Sequence, residues 1–213
     1  MVEKVRSYPA RLDIVYSPRS NRLTTFFRLV LIVPIIGILM ILLGATGSSY
    51  VNEAGQQMSS GGGDILTALF IVTVLMILFR QRYPKWWFDF GLELNRFATR
   101  VTAYLLLLTD AYPSTVDKQS VILDIDYPDA KKDLNRWLPL VKWLLAFPHF
   151  VVLAFLFIGM FGATIIAWFA VLVTGRYPKS IFDFVVGVNR WDLRVNAYAL
   201  LLVTDKYPPF SLK

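Results

Sequence analysis

The sequence contains no cysteine and a single histidine, His149. Without cysteine the chain has no disulfide framework, no thiolate zinc site and no cysteine nucleophile, and one histidine does not make a metal-binding cluster. Charge is also scarce, because 17% of the residues are charged whereas 56% are hydrophobic. These proportions exclude most metalloenzyme classes and indicate a chain that resides in lipid.

Positive charge is missing from two long parts of the chain. Residues 29–79 contain no Lys or Arg, and residues 143–175 contain no charged residue at all, although the chain has 22 Lys and Arg and a net charge of +7. Because cytoplasmic segments of membrane proteins retain Lys and Arg, we expect the connectors and both termini on the cytoplasmic side. The basic surplus is better explained by orientation and by anionic lipid than by nucleic acid.

The chain also contains an internal repeat. Residues 82–113 match residues 176–208, with identities at a constant offset, and a shorter match relates residues 12–16 to residues 123–127. So many identities at fixed spacing indicate two tandem units, which we place at residues 8–119 and 120–213. The identical positions are Tyr83, Pro84, Lys85, Phe88, Asp89, Phe90, Asn95, Arg96, Arg100, Val101, Ala103 and Tyr104, matched by Tyr177, Pro178, Lys179, Phe182, Asp183, Phe184, Asn189, Arg190, Arg194, Val195, Ala197 and Tyr198.

Each unit is predicted to contain a short strand, a membrane helical hairpin and an amphipathic helix. In unit 1 we expect membrane helices at about 23–43 and 65–79, an external loop at 44–64 and an interfacial helix at about 86–108. In unit 2 we expect membrane helices at about 137–158 and 160–174, and an interfacial helix at about 180–202.

The apolar block of unit 2 exceeds the ~20 residues that cross a hydrocarbon core, so Gly159 and Gly162 are predicted to form a tight turn. Pro34 and Pro148 predict matching kinks in the first helix of each hairpin. The second helices are short, and a deeply inserted hairpin that does not cross the bilayer is an alternative.

The segment after each hairpin carries a charged stripe. On a helix, Asp183, Arg190 and Arg194 fall on one face and aromatic residues fall on another, which is typical of an interfacial helix. Alternating polarity around residues 192–197 leaves a strand as the alternative.

We expect Asp89 with Arg96, and Asp183 with Arg190, to form salt bridges near the lipid headgroups. The spare arginines would then bind lipid phosphate. The predicted lipid- or partner-binding residues are Asp89, Arg96, Arg100, Asp183, Arg190 and Arg194. In a second hypothesis Asp89 and Asp183 handle protons or cations in a path between the units. Tryptophans and tyrosines at the helix ends are interpreted as interfacial anchors, and His149 as a packing residue. The anchors are Tyr83, Trp86, Trp87, Trp137, Trp143 and Tyr177.

The pattern Arg-Tyr-Pro-Lys-x-x-Phe-Asp-Phe over 176–184, followed by Gly-Val-Asn-Arg-Trp over 187–191 and Thr-Asp-x-Tyr-Pro-Pro-Phe over 204–210, resembles a bacterial family of duplicated membrane proteins designated a domain of unknown function. The resemblance covers nearly the whole chain. Unit 1 departs from the pattern, since Glu93 stands where unit 2 has Gly187. The resemblance implies an architecture and no activity.

The sequence therefore predicts an all-α polytopic membrane protein of two tandem repeats, in the bacterial cytoplasmic membrane, with no cofactor, no metal and no catalytic residues. The expected role is that of a non-catalytic accessory or scaffold protein that binds partner membrane proteins, itself or anionic phospholipid. A membrane-shaping hairpin protein, and a small proton or cation transporter using Asp89 and Asp183, are the alternatives.

Overall fold

The computed structural model describes residues 8–43, 48–51, 57–60, 65–114 and 119–213. It is mostly helical, as predicted. Two parts of the predicted 44–64 loop are the short strands β2 (Ser48–Val51) and β3 (Gln57–Ser60), which pair antiparallel. The rest of that loop lies outside the described residues.

The two predicted strand segments pair with each other. β1 (Ala10–Ile14) and β4 (Val121–Ile125) form an antiparallel two-stranded sheet in which Leu12 lies opposite Leu123. Alternate residues of both strands are buried, so each strand has one face against the helices and one in solvent. The matching strands of the two halves of the chain thus pair with each other, and the sequence of either strand alone does not predict this pairing.

Five apolar helices form one layer of the molecule. They are α1 (Arg22–Leu31), α2 (Val33–Leu43), α3 (Ile65–Leu75), α5 (Pro139–Leu145) and α6 (Phe147–Thr174), and a π-helical turn, Met76–Arg80, extends α3. The predicted kinks are present, because α1 gives way to α2 at Ile32 and α5 to α6 at Ala146, each two residues before a proline. Proline lacks the N–H that would continue the helical hydrogen bonds.

Within the described part of the chain, two helical stretches have the length and composition of membrane spans, Arg22–Ile41 and Phe147–Thr174. Only 22% and 17% of their most apolar windows are buried inside the protein. A core helix of a soluble protein would be mostly covered by its neighbours. The exposed apolar surface on these helices is therefore the sign of a membrane protein.

The turn predicted at Gly159 and Gly162 is wrong. α6 continues as one helix of 28 residues through both glycines and ends at Gly175, whose φ of 70° terminates it in the left-handed conformation. An isolated glycine costs a helix about 1 kcal/mol, which an apolar run of this length outweighs. Separate helices at 137–158 and 160–174 do not form.

The hairpin predicted for unit 1 is wrong as well. Ile32 and Ile35 pack near Val101 and Tyr104 at the carboxyl end of α4 (Lys85–Leu105). Farther along, Thr73 of α3 accepts a hydrogen bond from Trp87 in the first turn of α4. The chain therefore passes α4 from its end to its beginning, so α2 and α3 run in the same direction. β2 and β3 belong to an insertion between them.

The predicted amphipathic segments are helices rather than strands. α4 and α7 (Lys179–Ala199) each have 21 residues and begin at matching lysines. On α7, Trp191, Val195 and Tyr198 pack under α6, whereas Phe182 and Val186 pack with the sheet. The order of layers is therefore sheet, amphipathic helices, apolar helices.

Candidate functional site

The predicted salt bridges within the charged stripe do not form. Asp89 pairs with Lys85 at 2.9 Å, and Asp183 pairs with Lys179 at the same distance, each one helical turn away. Asp89 and Asp183 are both substantially exposed. The lysines are nearer partners on the helix surface, and the arginines of the stripe are engaged elsewhere.

Two arginines of the stripe bind the sheet. The Arg96 Nε donates to the Leu123 carbonyl at 3.0 Å, and the Arg190 Nε donates to the Leu12 carbonyl at 2.7 Å. Arg190 also pairs with Asp13 at 2.8 Å. Each helix thus binds the strand from the opposite half of the chain, where the first half is 8–119 and the second 120–213.

The other two arginines bind the segments that follow the helices. The Arg100 Nη1 donates to the Ser114 carbonyl and the Arg194 Nη2 to the Ser211 carbonyl, both at 2.6 Å. Arg194 also donates from Nε to the Arg190 carbonyl. Charge-assisted hydrogen bonds of this kind stabilise the fold. The arginines that the sequence favours for lipid or partner binding therefore have partners within the chain.

A second set of charges, buried between the layers, was missed by the sequence analysis. The Arg28 guanidinium donates to the Tyr104 and Thr109 carbonyls and to Asp110, and is 2% exposed. The fully buried Lys142 ammonium donates to the Thr204 carbonyl at 2.7 Å and pairs with Asp205 at the same distance.

The sequence does contain a sign of these ion pairs, because both the cation and the Thr-Asp of each pair occur at matching positions in the two halves. Arg28 matches Lys142, and the Thr-Asp of residues 109–110 matches that of 204–205. A cation that recurs inside an apolar helix needs an anion, because an unpaired buried charge is costly. A recurring Thr-Asp pair supplies that anion in each half.

The tyrosines predicted as interfacial anchors lie in the core. The Tyr83 hydroxyl donates to the Leu201 carbonyl at 2.9 Å, and that of Tyr177 to the Leu106 carbonyl at 3.4 Å, so each reaches the opposite half. Burial raises the pKa of Tyr83 to about 12. Trp86, Trp137 and Trp143 are exposed, as anchors would be.

His149 is a packing residue, as predicted. It is fully buried, its Nδ1 accepts a hydrogen bond from Trp191 at 3.0 Å, and its ring stacks on Phe210 with the centroids 3.9 Å apart. No group of three or more His, Cys, Asp or Glu suited to a metal ion occurs in the described ranges.

Asp192 on α7 is the carboxylate that stands out in the interior. It is half-buried and accepts a hydrogen bond from the Asn196 Nδ2 at 3.0 Å. Burial raises its pKa to about 6, and the Asn196 hydrogen bond opposes that rise. The sequence pattern does not single out Asp192, because a single acidic residue in an amphipathic helix does not reveal which neighbour covers it.

Exposed arginines collect at two corners of the molecule. At the first corner, the Ser20 N–H donates to the Gly175 carbonyl, which brings the exposed Arg22 beside Gly175 and Arg176. At the second corner, the Arg136 Nη2 donates to the Gln81 Oε1 at 3.1 Å, beside Arg82. We call these the cationic corners: Arg22 with Arg176, and Arg82 with Arg136.

A family model described as "Domain of unknown function (DUF4389)" matches residues 62–116 and 137–211, more than half of the chain. The chain belongs to this family. In this DUF4389 protein the matched residues contain α4, α7 and all four arginines of the stripe. Comparisons with curated proteins and with solved structures give no match.

Proposed function

We propose that the protein is a non-catalytic scaffold of the bacterial cytoplasmic membrane, built from two tandem copies of one unit and embedded from the cytoplasmic side. The apolar layer lies within one leaflet, along the membrane plane, and the sheet faces the cytoplasm. The observation that carries this proposal is that α6 packs along α7. The other face of α7 contacts β1, where Arg190 binds the Leu12 carbonyl.

The contacts between α6 and α7 run antiparallel from end to end. Leu153 of α6 packs in one cluster with Trp191. Gly159, farther along α6, lies beside the Phe184 ring nearer the start of α7, because a Cβ at Gly159 would be 3.8 Å from that ring. The two helices therefore lie side by side in opposite directions, and any tilt of α6 in the membrane is shared by α7. The orientation of this pair sets the depth of the charged residues on α7.

A membrane-spanning orientation would place charged groups in hydrocarbon. Arg190 is 11 residues beyond Lys179, about 16 Å along the helix, close to the middle of a core about 30 Å thick. The sheet, with its exposed Arg11 and Asp124 pair, would lie beside it. Each such charge costs roughly 2.5–3.5 kcal/mol at the bilayer centre. An in-plane orientation leaves all of these groups in water.

The cationic corners support the same orientation. The chain of α1, α2 and α3 starts at Arg22 in one corner and ends near Arg82 in the other. The segment of α5 and α6 then runs back from Arg136 to Arg176. If these helices crossed the membrane, one end would have to lie outside the cell. Both ends carry arginines, which are retained on the cytoplasmic side. If the helices lie in the plane, both corners face the cytoplasm.

We assign anionic phospholipid as the ligand of the cationic corners. Arg22 and Arg176 are exposed, and so are Arg82 and Arg136 in the second corner. The exposed Trp137 beside Arg136 is suited to the headgroup region. A basic residue at an anionic surface contributes about 1 kcal/mol, so two corners provide several kcal/mol of lipid affinity.

The lipid assignment predicts a loss of headgroup selectivity when the corners are neutralised. In reconstituted vesicles, Arg22→Gln with Arg136→Gln should lower the preference for spin-labelled phosphatidylglycerol over phosphatidylcholine about fivefold per site. Lys206→Gln with Lys213→Gln removes the same charge at exposed positions outside the corners and should leave it nearly unchanged. An equal loss of selectivity in the two double variants would show that the cationic corners are not the lipid-binding sites.

Membrane shaping is the second candidate function, and the in-plane layer favours it. Apolar helices inserted into a single leaflet displace more area there than in the other leaflet, which bends the bilayer. Vesicles with increasing amounts of protein should therefore form tubules in electron micrographs, and spherical vesicles at every ratio would exclude this function. A transporter using Asp89 and Asp183 is less well supported, because both carboxylates are exposed and paired with lysines.

A further inference from the structure

A cavity of about 410 Å³ lies between α3, α4 and the carboxyl end of α7 with the two residues that follow it. Its volume falls in the range of pockets that hold one small molecule. The lining is mainly apolar, and none of the described residues that form it is charged. Its wall includes Phe70, Trp87, Gly91, Asn95, Asn196 and Leu201.

Gly91 keeps the cavity open. It lies in the middle of α4 and is buried, yet a Cβ added there would meet no atom within 4 Å. Glycine is unfavourable by about 1 kcal/mol relative to alanine in a helix interior. A buried helical glycine beside empty space thus contributes neither helix propensity nor side-chain packing. Its effect is to leave the cavity unfilled.

The matching place in the second half is occupied by side chains. Val185 stands at the position of Gly91 and is fully buried. Asn189 matches Asn95, and the Met160 sulfur lies 3.5 Å from its Nδ2. The fold therefore accommodates a filled version of this site, and the open version occurs where the valine is replaced by glycine.

Most polar groups of the cavity wall already have partners. The Tyr83 hydroxyl donates to the Leu201 carbonyl, and the Trp87 Nε1 donates to Thr73. Asn95 and Asn196 use their Nδ2 groups on the Gly91 carbonyl and on Asp192. The two amide oxygens accept no hydrogen bond from the described residues, so they provide acceptors for a ligand's donor.

The cavity adjoins the layer that we place in lipid. Its α3 wall includes the exposed Thr67 and the half-buried Phe70. A molecule dissolved in the leaflet can reach the site past α3 without crossing the charged layer. Asp192, hydrogen-bonded to Asn196, disfavours an anionic headgroup at the polar end.

We infer that this cavity binds a neutral single-chain lipid with a hydroxyl headgroup. The alkyl chain lies against Phe70 and Trp87 in the space left by Gly91, and the hydroxyl donates to the amide oxygen of Asn95 or Asn196. The volume suits one chain and excludes a two-chain phospholipid. Lipid binding here goes beyond the scaffold role, because it uses an internal site and no charge.

Photolabelling of the purified protein in detergent tests this site. A hexadecanol carrying a diazirine in its chain should label peptides of α3 and α4, and Gly91→Val should reduce that labelling at least fivefold. Gly162→Val is the matched control, because Gly162 is also helical with open space at its Cβ and is exposed on α6. Equal labelling of the parent protein and Gly91→Val would overturn the site.

The headgroup is tested with a hexadecane probe that carries the same diazirine. The alcohol should label about threefold to tenfold more strongly than the hydrocarbon, as expected for one hydrogen bond. Equal labelling by the two probes would overturn the hydroxyl assignment. Circular dichroism of each variant establishes that it is folded. Because detergent replaces the bilayer, neither result depends on the in-plane orientation.

Discussion

At the scale of single residues, the charges of this protein fall into two groups that the sequence does not separate. Arg28 and Lys142 lie in the core with several acceptors each, whereas Lys85 and Lys179 form exposed pairs on the helix surface. All of these cations recur in matching positions. Only burial distinguishes those that hold the layers together from those that are dispensable.

Removal of the Lys142 ammonium should therefore strongly destabilise the folded protein. Lys142→Ala leaves Asp205 without its cation, and we expect the free energy of unfolding to fall by about 3–5 kcal/mol. Lys179→Ala breaks the exposed pair with Asp183 and should cost no more than about 1 kcal/mol. Denaturant unfolding in detergent measures both, and similar losses would show that Lys142 is not a buried structural charge.

Asp192 should make stability depend on pH. Its pKa of about 6 in the folded protein exceeds the ordinary value of 3.8, so its contribution is fully present below about pH 4 and is lost as the pH rises through about 6. The loss approaches about 3 kcal/mol at neutral pH. Asp192→Asn should remove this slope and be more stable than the parent at pH 7.5. An unchanged slope between pH 4 and 7 would contradict the assignment.

At the scale of elements, local patterns determined the strands, the amphipathic helices and the kinks. Alternating apolar and charged residues made β1 and β4 recognisable from the sequence. Pro34 and Pro148 break the hydrogen bonds of the helices that contain them, so the kinks are also local. The continuity of α6 was missed because an apolar run lacks periodicity, so a glycine within it reads equally as a turn or as helix. The pairing of Leu12 with Leu123 depends on distant segments and has no local signal.

The continuous α6 predicts opposite effects at two glycines. Gly162→Ala should raise the free energy of unfolding by up to about 1 kcal/mol, because the position is helical and its Cβ meets nothing within 4 Å. Gly175→Ala should lower it by about 1 kcal/mol or more, since φ is 70° and Arg22 lies 3.3 Å from the added Cβ. Destabilisation by Gly162→Ala would instead indicate a turn at that site.

At the scale of the whole molecule, the two halves are joined by exchange. Arg190 of the second half binds β1, Arg96 of the first half binds β4, and Tyr83 and Tyr177 each reach the opposite half. Neither half completes its own layers. This exchange explains why the stripe arginines, which the sequence predicts as a lipid or partner site, make hydrogen bonds within the chain.

The same exchange holds the charges of the sheet and the stripe on α4, α7, β1 and β4. The described parts of α2 and α6 expose apolar residues instead, such as Ile41, Phe155 and Phe161. The sequence indicated that charge and apolar residues are segregated along the chain. In the structure these two kinds of residue lie in separate layers, and this separation is the basis of the proposed in-plane orientation.

Cysteine accessibility in intact cells and inside-out vesicles tests the in-plane orientation most directly, because the chain has no cysteine of its own. Arg82→Cys and Arg176→Cys mark the two corners, and Gly162→Cys marks the exposed middle of α6. We predict that a membrane-impermeant maleimide labels both corners from the cytoplasmic side alone and Gly162→Cys from neither side. Labelling of the corners from opposite sides, or of Gly162→Cys from outside the cell, would contradict the account.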